Sequence, residues 1–198
     1  MNDILKEIIE SKKKEVALAK EIFSMELLEN NCCELQKELI SMSRFINESQ
    51  YGIIAEFKRR SPSKGWINKD ANICQVTQGY QKTGASSLSI LTDEKYFGGK
   101  IDDICSVRSS INIPILRKEF IIDEYQLFQT KLIGADAILL IASALEKKRI
   151  RELSGLAHQL GLEVLLEIHS EKEVEYIDDN IEMIGVNNRN LGTFKTDI

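Results

Sequence analysis

Glu56 and Lys58 stand two residues apart at the end of the run YGIIAEFKRRSPSKG (51–65). Tyr51 to Phe57 is apolar, β-branched and aromatic, and a Ser/Pro/Gly cluster follows it, so it reads as a buried strand. Side chains alternate along a strand, which puts Ile54, Glu56 and Lys58 on one face and Ile53, Ala55 and Phe57 on the other. A carboxylate and an ammonium therefore project together from an apolar strand end, either as a structural ion pair or as a pair equipped to move protons. The connection that follows carries Arg59, Arg60, Ser61, Ser63 and Lys64, with Pro62 restricting it and Gly65 closing it. That density suits an anionic group such as a phosphate, and it equally suits an ordinary solvated loop.

Three more strand-like runs end in the same way. One ends in Arg117, Lys118 and Glu119, with Leu116 and Lys118 in phase. Another ends in Glu167, in phase with Leu165, and a third in Asn187, Asn188 and Arg189. An unpaired charge is costly to bury, so each of these must be partnered or functional. One polar strand end is often structural, but four on a single rim form a candidate site. Two lysines and two glutamates in one dry mouth supply both acids and bases for proton transfer. The residue types leave open which lysine acts at which step.

Positioning those ends requires a repeating scaffold. Strands are expected at about 51–57, 87–91, 113–117, 136–141, 162–167 and 182–186, separated by amphipathic helical segments. Gly84, Gly134 and Gly161 fall where such helices should end. This cadence predicts βα units on a parallel sheet, and a barrel would collect functional side chains at its C-terminal strand ends. The first strand is not followed by GxGxxG, which counts against a dinucleotide fold. Before Tyr51 the pattern is helical, over 3–23 (Ile4, Ile8, Val16 and Leu18 as its apolar positions) and again from Ser24 to about Asn47. Residues 1–50 thus form an N-terminal helical extension, and 51–198 the barrel portion.

Composition bounds the partners. With 198 residues the chain can build one substantial core, and its net charge of −5 argues against a non-specific nucleic-acid binder. No apolar run is long enough for a bilayer, and the N-terminus lacks the apolar core of a signal peptide. Cys32, Cys33, Cys74 and Cys105 fit neither a zinc site nor a disulfide framework, and suggest reduced thiols in a cytoplasmic protein. His158 and His169 are too few for a metal centre of their own.

The segment Glu56-Phe57-Lys58-Arg59-Arg60-Ser61-Pro62-Ser63 resembles the signature of the indole-3-glycerol-phosphate synthase family, (β/α)8-barrel enzymes of tryptophan biosynthesis. SLSILTDEKYFGG, PILRKEF, GADAILLI, LLEIH and IGVNNRNL resemble the family's successive strand ends in order, and ILKEIIESKKKEV its leading helix. The resemblance implies a lyase that converts 1-(2-carboxyphenylamino)-1-deoxyribulose 5-phosphate into indole-3-glycerol phosphate, releasing carbon dioxide and water, without metal or organic cofactor. It implies Lys118 as general acid on the ketone, Glu167 as base in the dehydration, and Lys58 as substrate holder and proton donor to the leaving hydroxyl. Glu56 and Asn187 would orient these groups. Ser61 and Arg189 match further substrate-binding positions, and Ser63 would help hold the phosphate. Phe97 and Phe120 would line an apolar pocket for the anthranilate ring.

Glu119 and Asn190 depart from the family's usual Asp at those two places. A whole (β/α)8 barrel takes roughly 250 residues, so an incomplete barrel ending after the sixth strand is expected, either a monomer or a dimer that covers the open edge. The family's later phosphate-gripping Ser/Gly loops have no counterpart. On that reading the chain alone has little synthase activity, and a seventh and eighth βα unit would restore some. The alternatives are an inactive truncated barrel and another phosphate-sugar barrel enzyme. The SPS loop and the Lys118/Glu167 pair argue against the second.

Overall fold

The computed structural model describes residues 4–35 and 39–188. Its centre is a six-stranded, wholly parallel sheet. The strands are β1 (Ile54–Phe57), β4 (Ser87–Leu91), β5 (Ile115–Lys118), β6 (Ala137–Ile141), β7 (Glu163–Ile168) and β8 (Met183–Val186), adjacent in that order. Two short strands, β2 (Arg60–Ser61) and β3 (Gly65–Trp66), pair as an antiparallel hairpin in the loop after β1. The helices between strands are α4 (Ile73–Lys82), α5 (Glu94–Phe97), α6 (Ile101–Arg108), α7 (Glu124–Ile133) and α8 (Lys147–Gln159). Sequential parallel neighbours joined by crossover helices are the construction of a (β/α) barrel, here an incomplete one.

The six strands fall where the apolar runs placed them, β4 with the expected bounds and the other five with shifted ends. The first begins at Ile54 rather than Tyr51, because Gly52 takes a positive φ and turns the chain just before it. It is also less buried than its composition suggests. Ile53 and Ile54 remain exposed, since β1 pairs with β4 on one side only among the described residues. Gly84, Gly134 and Gly161 all adopt positive φ at helix ends, as their spacing predicts. Between β7 and β8 the connection is a 3-10 helix, Glu171–Tyr176, in place of an α-helix.

The sheet has two apolar sides. Its outer side packs on the helices: Ile138, Leu140, Val164 and Leu166 meet Ile150, Leu153 and Ala157 of α8, and Leu88, Ile90 and Ile115 meet Ile104 and Val107 of α6. The inner side carries Leu116, Ala137, Leu139 and Ile141, with Met42 fully buried against them. Full burial of such a side chain is worth about 1.5–3 kcal/mol.

Met42 belongs to the N-terminal region, which forms α1 (Ile4–Ile22), α2 (Met25–Glu34) and α3 (Met42–Glu48). The stretch from Ser24 to Asn47 is thus two helices, with residues 39–41 between them non-helical. α3 plugs the N-terminal end of the sheet. Glu163, at the start of β7, accepts hydrogen bonds from Ser41 Oγ (2.5 Å), Ser43 N (2.7 Å) and Ser43 Oγ (2.9 Å). α1 buries Leu5, Ile8, Lys12 and Val16. Leu18, expected on that stripe, faces solvent at 60% exposure.

Candidate active site

The C-terminal strand ends open onto a cavity of about 390 Å³. Glu56 and Lys58 enter it from β1 and the residue just past it, Lys118 from the end of β5, Glu167 from β7 and Asn187 from just after β8. Ser61, Pro62 and Ser63 form one wall, Phe97 and Phe120 another, and Leu91, Leu139 and Ile141 the floor. Nine of the ten residues singled out in the sequence therefore border one space. The tenth, Arg189, lies outside the described residues, as does Asn190.

Strand register explains the convergence. Leu91 pairs with Lys118, and Ile141 with Glu167, so adjacent strands bring their last inward side chains to one level. Lys118 Nζ lies 3.5 Å from Glu167 Oε2, with the two side chains 23% and 12% exposed. Lys58 Nζ is hydrogen-bonded to Glu56 Oε1. The Phe97 and Phe120 rings are tilted by 38° with centroids 6.1 Å apart, an aromatic contact that makes one apolar wall of the cavity. Ser61 is buried, and its Oγ accepts from Lys64 N at 3.2 Å, which tightens the loop; Ser63 is exposed. Asn187 N donates to Ile168 O at 3.0 Å, continuing the ladder past β8.

Two arginines counted toward an anion-binding loop are used elsewhere. Arg59 makes a two-point contact with Asp103 (2.6 and 2.9 Å) and stacks over Phe57. That hydrogen bond to Asp103 raises the Arg59 pKa further above its ordinary value. Arg60 donates to Lys95 O at 3.0 Å and lies over Trp66. Lys58, Ser61, Ser63 and Lys64 remain as the loop's groups toward an anion.

Behind the cavity wall lies a second charged cluster that sequence reasoning missed. Lys12 of α1, 2% exposed, contacts Glu15 Oε2 (2.8 Å), Asp93 Oδ2 (3.1 Å) and Glu119 Oε1 (3.1 Å). Burial opposes its charge, yet Glu119, Asp93 and Glu15 together outweigh burial and hold its pKa above the ordinary value. Glu119 also accepts from Thr92 Oγ1 (2.7 Å) and Phe120 N (2.8 Å). It therefore braces the backbone between Lys118 and Phe120. Arg117 points away from the cavity and is fully buried, donating to Gln126 O (3.0 Å) and Thr130 Oγ1 (3.1 Å). A legible signal existed for Lys12. Positions 8, 12 and 16 share one helical face, so a lysine sits in the apolar stripe.

His169 also stands beside the site. It follows Glu167 by two residues, and its Nε2 lies 3.5 Å from Glu167 Oε1. Among the described residues, no group of three or more His, Cys, Asp or Glu is placed to hold a metal, and no helix is long and apolar enough to cross a membrane. All four cysteines are free thiols.

The profile described as "Indole-3-glycerol phosphate synthase" matches residues 5–198. The chain is 56% identical over 198 residues to the indole-3-glycerol phosphate synthase of Bacteroides thetaiotaomicron, covering 100% of this chain and 76% of that one. It is 41% identical to the enzyme of the same name from Aliarcobacter butzleri, covering 98% and 76%. Among solved structures, tryptophan synthase subunit alpha from Legionella pneumophila matches with a TM-score of 0.54 at 12% identity, over 74% of this chain and 66% of that one. That likeness concerns the fold alone.

Proposed function

The chain belongs to the indole-3-glycerol phosphate synthase family, and from that premise we propose how its own residues divide the work of the ring-closing reaction. The anthranilate ring packs against the wall formed by Phe97 and Phe120, and the phosphate lies toward Ser61, Ser63 and Lys64. A bond forms between the ring carbon that bears the carboxylate and the ketone carbon. Lys118 gives a proton to the ketone oxygen as charge develops there, the task for which an ammonium in a largely dry site is suited. The carboxylate leaves as carbon dioxide, and its electron pair restores the aromatic ring. The new hydroxyl then departs as water with a proton from Lys58, while Glu167 takes a proton from the neighbouring carbon. Glu56 holds Lys58 in place, and Asn187 and Arg189 bind substrate hydroxyls.

The observation that carries this reading is the meeting of Lys118 and Glu167 at 3.5 Å inside the cavity that Lys58 and Glu56 also line. An acid and a base thus face one volume large enough for a single substrate. The test is direct: incubate the protein with 1-(2-carboxyphenylamino)-1-deoxyribulose 5-phosphate and follow indole-3-glycerol phosphate by its indole fluorescence. The same assay is run on the chain joined to the additional C-terminal βα units of a relative. Product from either form supports the reading, and the ratio measures what those units add. Neither form exceeding the buffer rate would sink it.

A further inference from the structure

We propose that His169 is a positioning residue for Glu167, donating a hydrogen bond from Nε2 to Glu167 Oε1 and leaving Oε2 to Lys118. The proposal rests on the reading of Glu167 as the base. His169 lies just past the end of β7, and alternation along the strand puts it on the same side as Glu167. Its side chain is only 13% exposed. Both ring nitrogens are buried and neither has a hydrogen-bond partner among the described residues. A buried nitrogen that has exchanged water for nothing is unfavourable, and buried polar groups are normally satisfied.

The surroundings show where the missing partner is. Glu173, from the 3-10 helix after β7, accepts from His169 N (2.6 Å) and Ser170 N (3.1 Å). It secures the backbone of His169 and leaves the ring free to face the strand end. Glu167 presents Oε1 to His169 Nε2 and Oε2 to Lys118 Nζ, each at 3.5 Å. Glu56 and Lys58, the other charges at this level, are bonded to each other. An ionised carboxylate only accepts, and a neutral imidazole has one N–H, so the tautomer protonated at Nε2 is the one that suits this contact. Hydrogen bonds around reacting groups are often long before substrate arrives and shorten in the complex. With a donor on each side, the Glu167 carboxylate is held in one plane, turned toward the cavity.

The alternative is that the ring only fills space, and two substitutions separate the cases. His169→Phe keeps a ring of similar size and removes the donor, whereas His169→Gln keeps an N–H near the Nε2 position. If His169 positions Glu167, the Phe variant loses about tenfold in kcat with KM nearly unchanged, the worth of one hydrogen bond to a charged group felt in the transition state. The Gln variant then recovers most of that loss. Equal activity of the Phe variant and the parent overturns the proposal.

A second readout needs no turnover. The chain has two histidines, so His158→Gln leaves one imidazole to observe. Its long-range proton–nitrogen NMR spectrum is expected to show the proton on Nε2, and Glu167→Leu to abolish that preference. Should the Leu variant not fold, Glu167→Gln must still move the Nε2 proton resonance upfield. A spectrum indifferent to residue 167 overturns the proposal. If no form of the protein makes product, the assignment of Glu167 as base falls, while the NMR result still decides whether His169 and Glu167 are bonded.

Discussion

Two clusters of lysines and carboxylates flank the same short segment, residues 117–120, and they are built in opposite ways. Toward the cavity, Lys118 and Glu167 are partly exposed and 3.5 Å apart. Behind it, Lys12, Asp93 and Glu119 are sealed from water with contacts of 3.1 Å, and Thr92 Oγ1 and the Phe120 amide occupy further lone pairs. The chemistry of the groups is alike and the packing is not. Where every lone pair and proton is taken, a charge can only hold structure. Where a carboxylate has oxygen lone pairs to spare and an ammonium has free protons, the pair can act on a third molecule. Position and partners select between the two: Lys118 points into the barrel, Arg117 engages the outer layer, and Glu119 borders the cavity but spends its oxygens on Lys12, Thr92 Oγ1 and the Phe120 amide.

Substitutions in the two clusters should therefore fail differently. The largest effect is expected for Lys118→Ala in the chain joined to further C-terminal βα units of a relative, which should lower kcat about 100- to 10,000-fold, the usual worth of a general acid, while substrate still binds. Steady-state kinetics with calorimetric binding checks this. A variant within about threefold of the parent rate would assign the acid wrongly.

Lys12→Ala should show the reverse. It leaves Asp93 and Glu119 buried without their cation, and breaking such a cluster typically costs about 3–5 kcal/mol. Urea unfolding followed by circular dichroism measures it, and a loss below about 1 kcal/mol would show that the cluster relaxes or admits water. If Glu119 braces the Lys118–Phe120 backbone as described, the variant's remaining folded molecules should also turn over more slowly.

A smaller effect distinguishes charge from packing at the same position. The Lys12 pKa is raised on folding, so its contribution is fully present below the unfolded value of about 10.4 and is lost as pH rises through the folded value. The stability gap between the parent and Lys12→Met should then stay constant from about pH 7 to 9.5 and narrow above about pH 10.4. A gap that closes at neutral pH would mean the ammonium contributes nothing. The smallest effect belongs to Lys13→Ala. Lys13 pairs with Glu10 at 2.6 Å on the exposed face, and surface pairs of this kind contribute little, so the melting temperature should not shift measurably.

Much of the inner cluster is legible in the sequence, because alternation alone places Glu56, Lys58, Lys118 and Glu167 at strand ends on one face. The outer cluster is harder to see. Lys12 sits within the run Lys12-Lys13-Lys14, which reads as a solvated helix surface, and its buried partners Asp93 and Glu119 come from just past the ends of β4 and β5. Only its phase with Ile8 and Val16 betrays it. Arg59 misleads for a similar reason. Its neighbours suggest an anion loop, but the α6 residue Asp103 that claims it is unrelated in local sequence. The start of β1 is hard to place from composition: Tyr51 is a good strand former, but the positive φ of Gly52 turns the chain there, and Ile53 already meets β4 through its carbonyl, which accepts from Ser86 N and Ser87 N. In each case the sequence shows which groups carry charge, and long-range packing decides what they face.

The docking of α1 bears on how the chain reaches this state. Its polar contacts reach far along the chain: Tyr96 Oη donates to Glu7 across 89 positions, and Lys20 binds Asp123 across 103. During synthesis α1 emerges before β4 and β5, and it must wait for them before Lys12 finds Asp93 and Glu119. Contacts this distant are slow to close. An apolar residue at position 12 would lengthen the sticky stripe of the waiting helix and invite association with other nascent chains. A lysine keeps that stripe hydrated until its partners exist. Pulse-labelled hydrogen exchange during refolding should accordingly find the amides of α1 protected after those of β4 and β5.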